Sequence, residues 1–293
     1  MSVRRPTPAD AEAVAELCAA YDASFGAPPD VTADDLRQEW REVDLEQDAW
    51  LFELDGRVAA FGCLYGPPER LSADGYVHPD FRDRGLGTEI LRLAEERARG
   101  RGVGELGSAT LHADTAGRAL FEANGYAFRR AFLRMGIELE DDVPEPRVPD
   151  GLVLEPFRPE DERAVHAALQ EAFAEHWGNV PETFEHWRAR RVEGQDTSLW
   201  LVVRDGVEIA AAAVNQPQRF GGGWVAALGT REAWRRRGLA EALLLASFRA
   251  FRERGETLVQ LGVDSENPTG AVQLYERAGM RQVWRADVYR KHL

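Results

Sequence analysis

Hydrophobic and polar positions follow two periods along the chain, and the same order of periods occurs twice. In the second half, apolar residues three and four apart, among them Val165, Leu169 and Ala172, predict a helix over Pro159–Glu175. Apolar runs on either side of Asp205-Gly206 predict two strands joined by a tight hairpin. The full order is a strand Leu152–Pro156, this helix, a helix after Pro181, strands Ser198–Arg204 and Val207–Asn215, a loop through Gly221–Gly223, a strand Trp224–Thr230, a helix Gly238–Arg254, a strand Thr257–Val263, a helix Pro268–Arg277 and terminal strands through Tyr289. This order predicts an α/β sandwich with antiparallel strands in front and a strand–helix–strand unit behind.

The first half repeats this plan at an offset of 150 to 154 residues. Trp50-Leu51 matches Trp200-Leu201, and Asp55-Gly56 matches Asp205-Gly206. Further matches join Pro8 and Asp10 to Pro159 and Asp161, Gly26 to Gly178, and Gly125 to Gly279. Two copies of this length indicate a tandem domain pair rather than a solenoid. Prolines at 144, 146 and 149 mark the linker. We therefore expect a first domain over 1–143, a linker over 144–151 and a second domain over 152–293.

Composition and charge restrict the function. The formal net charge is −14, with 30 acidic residues against 17 arginines in 1–150 and 20 acidic against 19 basic residues in 151–293. Nucleic-acid affinity depends on a basic face, so we expect no nucleic-acid partner. The acidic first half fits either a solvated surface or attraction of a cationic substrate.

Other sequence features favour an ordinary intracellular protein without a metal. Cys18 and Cys63 are too few and too far apart for a disulfide framework or a zinc site, and the six histidines show no metal-ligand spacing. No apolar run approaches the ~20 residues of a membrane span, and the N-terminus has no secretory signal. We expect a cytoplasmic protein with no membrane partner, no metal, and either a monomeric state or a homodimer.

The segment Leu228–Ala240 predicts an anion-binding turn. A strand ends, arginines follow, and a helix begins at Gly238, so several backbone N–H groups lack partners and point at one place. Gly238 allows close approach of a ligand to the backbone. A second copy of this arrangement precedes Gly85. Gly102-Val103-Gly104-Glu105-Leu106-Gly107, by contrast, follows a helix and precedes a strand, which is the reverse of the dinucleotide-binding order.

With these motifs the chain resembles the GNAT superfamily of acyl-CoA N-acyltransferases. The family fingerprint Q/R-x-x-G-x-G/A is matched by Arg82–Gly87 and again by Arg235–Ala240. The resemblance implies two tandem GNAT domains, each a mixed, mostly antiparallel sheet flanked by helices, and acetyl-CoA as cosubstrate. It implies that the second copy binds the pyrophosphate and the pantetheine arm through Leu228, Gly229, Thr230, Arg235, Arg236, Arg237, Gly238, Leu239 and Ala240. The equivalent residues of the first copy are Gly75, Tyr76, Val77, Arg82, Arg84, Gly85, Leu86 and Gly87.

A second signature separates the copies. Asn267 and Tyr275 match the family segment in which an Asn holds the coenzyme arm and a Tyr hydroxyl lies near the thioester sulfur. Asn267 is also a suitable cap for a helix that starts at Pro268, with Tyr275 about two turns further along. Ala113 and Phe121 stand at these positions in the first copy. The resemblance therefore implies Tyr275 as the general acid of a catalytic second copy, and a first copy that binds CoA or is purely structural.

The acceptor is the least defined part. Glu175, His176 and Trp177 close the predicted first helix of the second copy, where the family builds its acceptor pocket, although helix ends also carry such residues for packing. The base that deprotonates the acceptor is Glu232, Asp264, Glu175, His176 or a chain of waters. We expect an N-acetyltransferase that acts on a small-molecule primary amine, with a non-catalytic CoA-binding protein as the alternative.

Overall fold

A computed structural model describes residues 2–29, 31–139, 143–177, 179–267 and 269–293. The contacts divide the chain into two compact units. The first unit holds residues 2–133 together with Trp284–Leu293, and the second holds residues 134–283. Among the described helices, none combines the length and the apolar character that crossing a membrane requires.

The first unit contains a sheet and five helices in the described residues. Its elements are β1 (Ser2–Arg4), α1 (Ala11–Ala23), α2 (Ala33–Glu39), α3 (Leu45–Asp48), β2 (Ala49–Leu54), β3 (Arg57–Tyr65), β4 (Ser72–Val77), α4 (Leu86–Gly100), β5 (Glu105–Leu111), α5 (Thr115–Ala123) and the start of β6 (Ala127–Glu138).

The second unit repeats this order, except that two helices rather than three stand between its counterparts of β1 and β2 in the described residues. It contains the end of β6, then β7 (Leu152–Pro156), α6 (Glu162–Phe173), α7 (Phe184–Arg191), β8 (Leu201–Asp205), β9 (Glu208–Arg219), β10 (Gly222–Thr230), α8 (Leu239–Glu253), β11 (Leu258–Asp264), α9 (Ala271–Arg277) and the start of β12 (Arg281–His292). The strand order is β1-β2-β3-β4-β5-β12 in the first unit and β6-β11-β10-β9-β8-β7 in the second.

The sheets are mostly antiparallel, and within the described residues each contains a parallel pair. The parallel pairs are β4 with β5 and β10 with β11. The hairpin at Asp205-Gly206 is confirmed, because β8 and β9 pair on either side of it. The expected loop at Gly221–Gly223 is wrong in its bounds. Phe220 and Gly221 form the turn, both with positive φ, and Gly222 and Gly223 are the first residues of β10.

Helices cover both faces of the second sheet. Leu201, Val202 and Val203 are all buried, because successive side chains of β8 point to opposite faces and both faces are covered. Val202 packs with the apolar side of α6, including Val165 and Leu169. Leu201 and Val203 pack with Leu239 and Leu243 of α8, among others. The helices α6 and α8 therefore lie on opposite faces of the second sheet.

Most of the last strand, β12, lies in the first unit, whereas the expected domain boundaries placed it in the second. Residues Trp284–Leu293 belong to the first unit, where Ala286–His292 pair with Leu111–Glu105 of β5. In the second unit, Leu139 follows β6 and donates its N–H to Thr257 at 2.7 Å. The division falls at 133/134 and 283/284 rather than at 143 and 152, because the sheets and not the proline-rich segment decide which residues fold together.

Candidate active site

The strands β10 and β11 separate in the middle of the second sheet. They pair in parallel only over Gly223–Val225 and Val259–Leu261 among the described residues. Beyond Val225, Leu228–Thr230 stay paired with β9 on their other side. The result is a gap between β10 and β11 that we call the wedge, bounded by residues 226–230 and 262–264. The first unit has the same feature, since β4 and β5 of the described chain pair only at Ser72 and Ala73 of β4.

The amide of Thr230 faces the wedge. Arg231 donates its N–H to Ala210 on the β9 side at 3.0 Å. Because N–H groups of neighbouring residues in a strand point to opposite edges, the N–H of Thr230 points to the open edge. The Thr230 hydroxyl is buried and lacks a hydrogen-bond partner among the described residues. A buried hydroxyl is normally paired, so this position fits a ligand that supplies the partner.

The turn after β10 has the geometry of an anion site. Arg236 and Gly238 adopt positive φ of 62° and 82°, and Asp83 and Gly85 of the first unit repeat this with 60° and 76°. The first helical bond of α8 runs from Ala242 to Gly238, which leaves the preceding three N–H groups unpaired in the helix. A Cβ placed at Gly238 meets no atom within 4 Å, so the space above the turn is open.

The first arginine of each turn contacts the preceding helix. Arg235 pairs with Glu175 at 3.3 Å and donates to the carbonyl oxygen of Ala172 at 3.4 Å. In the first unit, Arg82 donates to the Ser24 hydroxyl at 2.6 Å and lies 4.7 Å from the centre of the Phe25 ring. These arginines therefore join the turn to the end of α6 or α1. Their role in coenzyme binding stays a prediction. Arg236 and Arg237, the next two arginines of the second turn, are exposed.

Sequence reasoning missed Glu171. Its carboxylate accepts from the Arg231 guanidinium at 2.7 Å and from the Glu232 amide at 3.0 Å, and the pair with Arg231 lowers the pKa of Glu171. Glu171 lies in the last turn of α6, and Glu175 follows four residues later in the turn after the helix; this spacing is the sequence signal for Glu171. Glu171, at the end of α6, and Glu175, just after it, thus hold Arg231 and Arg235 of the segment that leads into α8.

The close approach of α6 to β10 depends on Gly229. A Cβ at Gly229 would lie 2.9 Å from Cβ of Ala172 and 3.0 Å from the Leu169 side chain. We expect Gly229→Ala to lower the free energy of unfolding of the second unit by ~1–3 kcal/mol through overpacking, measured by urea unfolding. The matched control is Gly262→Ala, whose Cβ has its nearest neighbour at 3.6 Å in Trp224. Equal midpoints for the two variants would contradict this packing argument.

The helix that carries Tyr275 starts later than expected. α9 begins at Ala271, and Gly270 precedes it with a φ of 74°. Asn267 is therefore not its cap: the Asn267 side-chain oxygen accepts from the backbone N–H and the hydroxyl of Thr269. Pro268, the expected first position, lies outside the described residues, as does Gly178 of the repeat. Among the described residues, neither Asn267 nor Tyr275 hydrogen-bonds to the turn.

Tyr275 is buried on α9, directly after β11 and the wedge it borders. Burial raises the pKa of Tyr275 to about 12. The counterpart in the first unit is the Phe121 ring, which lies in the core 5.2 Å from the ring centre of Tyr289. The first unit therefore keeps the turn and has no hydroxyl at this position.

The predicted acceptor residues lie together at the end of α6. Glu175 is exposed, Trp177 is 38% exposed and His176 is half-buried against Phe173. Burial lowers the pKa of His176, the nearby Asp264 carboxylate raises it, and Arg235 lowers it. Among the residues that the structure describes, no three His, Cys, Asp or Glu side chains form a group that could hold a metal.

Comparison with known proteins identifies the family. The model of the Acetyltransferase (GNAT) family matches residues 14–126 and again residues 163–280. The chain belongs to the GNAT acetyltransferase family, as a tandem of two copies, and is an acyltransferase. Of the two alternatives from the sequence, the enzyme is confirmed. Members of this family use acetyl-CoA.

Relatives and solved structures extend over nearly the whole chain. The chain is 32% identical over 306 residues to a mycothiol acetyltransferase of Thermobispora bispora, covering 99% of this chain and all of that protein. It is 35% identical over 236 residues to a mycothiol acetyltransferase of Thermomonospora curvata, covering 77% and 76%. A GCN5-related N-acetyltransferase from Sphaerobacter thermophilus superposes with a TM-score of 0.87 at 36% identity, covering 99% and 95%. A tandem GNAT protein from the clavulanic acid biosynthesis pathway, at 19% identity and a TM-score of 0.75, covers 99% and 98% and shares the fold.

Proposed function

We propose that the protein transfers an acetyl group from acetyl-CoA to the primary amine of a small molecule, such as an amino sugar, an antibiotic or a related metabolite, and that the second unit carries out the reaction. The observation that carries this proposal is the asymmetry of the two units. Both have the wedge and the turn, but only the second has a tyrosine, Tyr275, where the first has Phe121. The relatives named mycothiol acetyltransferase support a small-molecule acceptor.

The residues of the second unit fit acetyl-CoA. The open space above Gly238 and the unpaired N–H groups at the start of α8 suit a diphosphate. On the wedge side, Leu228–Thr230 have no strand partner among the described residues, although the Thr230 carbonyl oxygen accepts from Arg235 at 3.5 Å. This edge suits the amide-containing pantetheine arm, which can pair with it as an added strand would. The buried, unpaired hydroxyl of Thr230 fits the same occupant.

The chain's own groups then act at the thioester. Acetyl-CoA supplies a carbonyl carbon that an amine can attack and a thiolate leaving group. The Thr230 N–H, which points into the wedge, can donate to the carbonyl oxygen as negative charge develops there. Tyr275 keeps its proton at neutral pH because burial raises its pKa to about 12, so it can donate to the departing sulfur.

The test compares the two turns with one substitution. We expect Gly238→Val to weaken acetyl-CoA binding at least ~10-fold and to reduce thiol release with a panel of primary amines, since a β-branched side chain is strained at a φ of 82° and fills the space above the turn. Calorimetric titration and a free-thiol assay measure the two effects.

Gly85→Val is the matched control, because Gly85 has the same geometry in the first unit. It should leave the rate of thiol release within ~2-fold of the original. A 2-fold change corresponds to ~0.4 kcal/mol in the activation free energy. Loss of thiol release in Gly85→Val with full activity in Gly238→Val would assign turnover to the first unit and contradict the proposal.

A further inference from the structure

One histidine differs from the other five in its polar contacts. The ring of His176 makes no hydrogen bond or ion pair with any residue that the structure describes, and its surroundings are the edge-to-face contact with Phe173 at 4.6 Å. Each of the others has a polar partner: His78 with Asp80, His112 with Asp287, His166 with the Glu182 carbonyl oxygen, His186 with the Glu182 carboxylate and His292 with Glu105. His176 thus has a ring nitrogen available to a ligand.

Three charged groups act on His176: one on β11, one in the turn after β10 and one in the segment of His176 itself. Asp264 ends β11, Arg235 belongs to the turn after β10, and Glu175 precedes His176 in its own segment; all three act on the charge of the imidazole. Backbone bonds fix the segment, since His176 donates to Phe173 and accepts from Asn179, each at 3.0 Å. The Phe173 ring that contacts the imidazole also lies 3.4 Å from the place of a Cβ at Gly229 of β10, so the imidazole lies beside the end of α6, near the β10 side of the wedge.

The competing bases are engaged or unsuited. Glu175 is paired with Arg235, and its side chain is 69% exposed. Asp264 accepts from the Glu266 amide at 2.9 Å. Glu232 is exposed and lies in the segment that Glu171 anchors. A tyrosine with a pKa of about 12 keeps its proton, so Tyr275 is an acid and not a base at neutral pH.

We propose that His176 is the general base that takes the proton from the acceptor's ammonium group. This inference rests on the proposed acetyl transfer. His176 accepts one proton through a ring nitrogen, and the amine nitrogen that is released attacks the thioester carbonyl carbon as the carbon–sulfur bond breaks. The attacking nitrogen loses a second proton as the amide forms, and this proton restores the Tyr275 hydroxyl after Tyr275 has given its own proton to sulfur. His176 returns its proton to solvent. Asp264 stabilises the imidazolium while it exists, and Arg235 opposes it.

The pH dependence follows with a definite sign. Burial lowers the pKa of His176 below its ordinary value, so the ring is neutral and able to accept a proton at pH 7. Activity that depends on the neutral ring is lost as the pH falls through that lowered pKa. Asp264→Asn removes a carboxylate that raises the pKa, so it should move the acidic limb to still lower pH.

The kinetic test compares His176→Gln with the unaltered protein on the same primary alkyl amine. We expect kcat/KM at pH 7 to fall ~10²-fold, the usual contribution of a general base. The profile of the unaltered protein should level off between the pKa of His176 and that of the amine. The variant should keep rising ~10-fold per pH unit across that range, because it depends on the small fraction of free amine. Added imidazole should restore part of the activity of His176→Ala.

The control is His186→Gln, an exposed histidine of α7 whose loss should change neither the rate nor the profile. Identical profiles for His176→Gln and the unaltered protein would overturn the assignment. If no amine in the panel gives thiol release even with the unaltered protein, the acetyl transfer itself fails, which is a different result.

The protonation of His176 can also be measured without any acceptor, which tests the assignment even if no amine in the panel gives thiol release. Nitrogen-15 spectra of histidine-labelled protein, with His176 assigned by its absence in His176→Gln, report the protonation of the ring directly. We expect a neutral ring at pH 7 and a titration below ~6.5, the ordinary pKa of histidine. A ring that is protonated at pH 7, or that stays unprotonated down to the pH of unfolding, contradicts the proposed role.

Discussion

Tyr275→Phe should lower kcat by ~10²- to 10⁴-fold, the range for loss of a positioned acid. The substitution removes one oxygen and keeps the ring that packs in the buried side of α9. Without the hydroxyl, the departing thiolate loses the acid that we propose for it and keeps its negative charge as the carbon–sulfur bond breaks. A single-turnover measurement of thiol release with the most active amine of the panel gives the rate of this step.

Binding of acetyl-CoA should be spared in the same variant. The turn and the Thr230 edge, which we propose to bind the coenzyme, lie on other elements, and among the described residues Tyr275 makes no hydrogen bond to the turn. We therefore expect an unchanged Kd for acetyl-CoA together with the lower kcat. In the unaltered protein the acid should remain active across neutral and moderately alkaline pH, because Tyr275 loses its proton only near pH 12.

Tyr126→Phe is the control for this prediction. It removes a hydroxyl from another buried tyrosine, in the core of the first unit, and should leave kcat within ~2-fold, because that unit has no part in the proposed chemistry. A Tyr275→Phe protein that releases thiol at the original rate would remove the acid role. The source of the proton would then be solvent or the acceptor itself.

The turns could be predicted well from sequence because their geometry is local. A glycine directly before a helix readily adopts positive φ, and both Gly85 and Gly238 do so. Asp83 and Arg236 also adopt positive φ, which their residue types did not indicate. The hairpin at Asp205-Gly206 is equally local, since two residues set both the turn and the register of β8 with β9.

Side-chain partners at the site could not be predicted in the same way. The pairing of Glu171 with Arg231 spans sixty positions and depends on how closely α6 approaches β10, which in turn depends on Gly229. The predicted start of α9 was wrong. Asn267 and Gly270 are both suitable residues before a helix, and local propensity does not decide between them. In the structure Gly270 precedes the helix, and the Asn267 side chain instead accepts a hydrogen bond from the Thr269 N–H.

The division of the last strand was also beyond sequence reasoning. A repeat shows which strand ends each copy, but it does not show with which strand that segment pairs. The apolar alternation of residues 281–292 would suit either sheet edge. Only the structure gives Arg281–Val283 to the second unit and Trp284–Leu293 to the first.

Deletion of Trp284–Leu293 should therefore unfold the first unit rather than the second. The deleted segment carries seven residue pairs with β5. It also carries the Tyr289 ring, 1% exposed in the core of the first unit, and the ion pair of Lys291 with Glu95 at 2.7 Å. Loss of one buried aromatic alone costs ~3–5 kcal/mol, against a total of ~5–15 kcal/mol for a typical domain. Tyr289→Ala should act in the same direction with a smaller effect.

Hydrogen exchange followed by mass spectrometry shows where protection is lost. We expect β2 to β5 to exchange rapidly in the deletion protein, while β8 to β10 stay protected. Deletion of Ser2–Arg4 is the control, because it also removes a strand of the first unit, but a short exposed one with three pairs to β2. If residues 152–293 were a self-contained domain, protection would be lost in β8 to β11 instead. That outcome would mean that the final strand belongs to the second unit, as the boundaries taken from the repeat predicted.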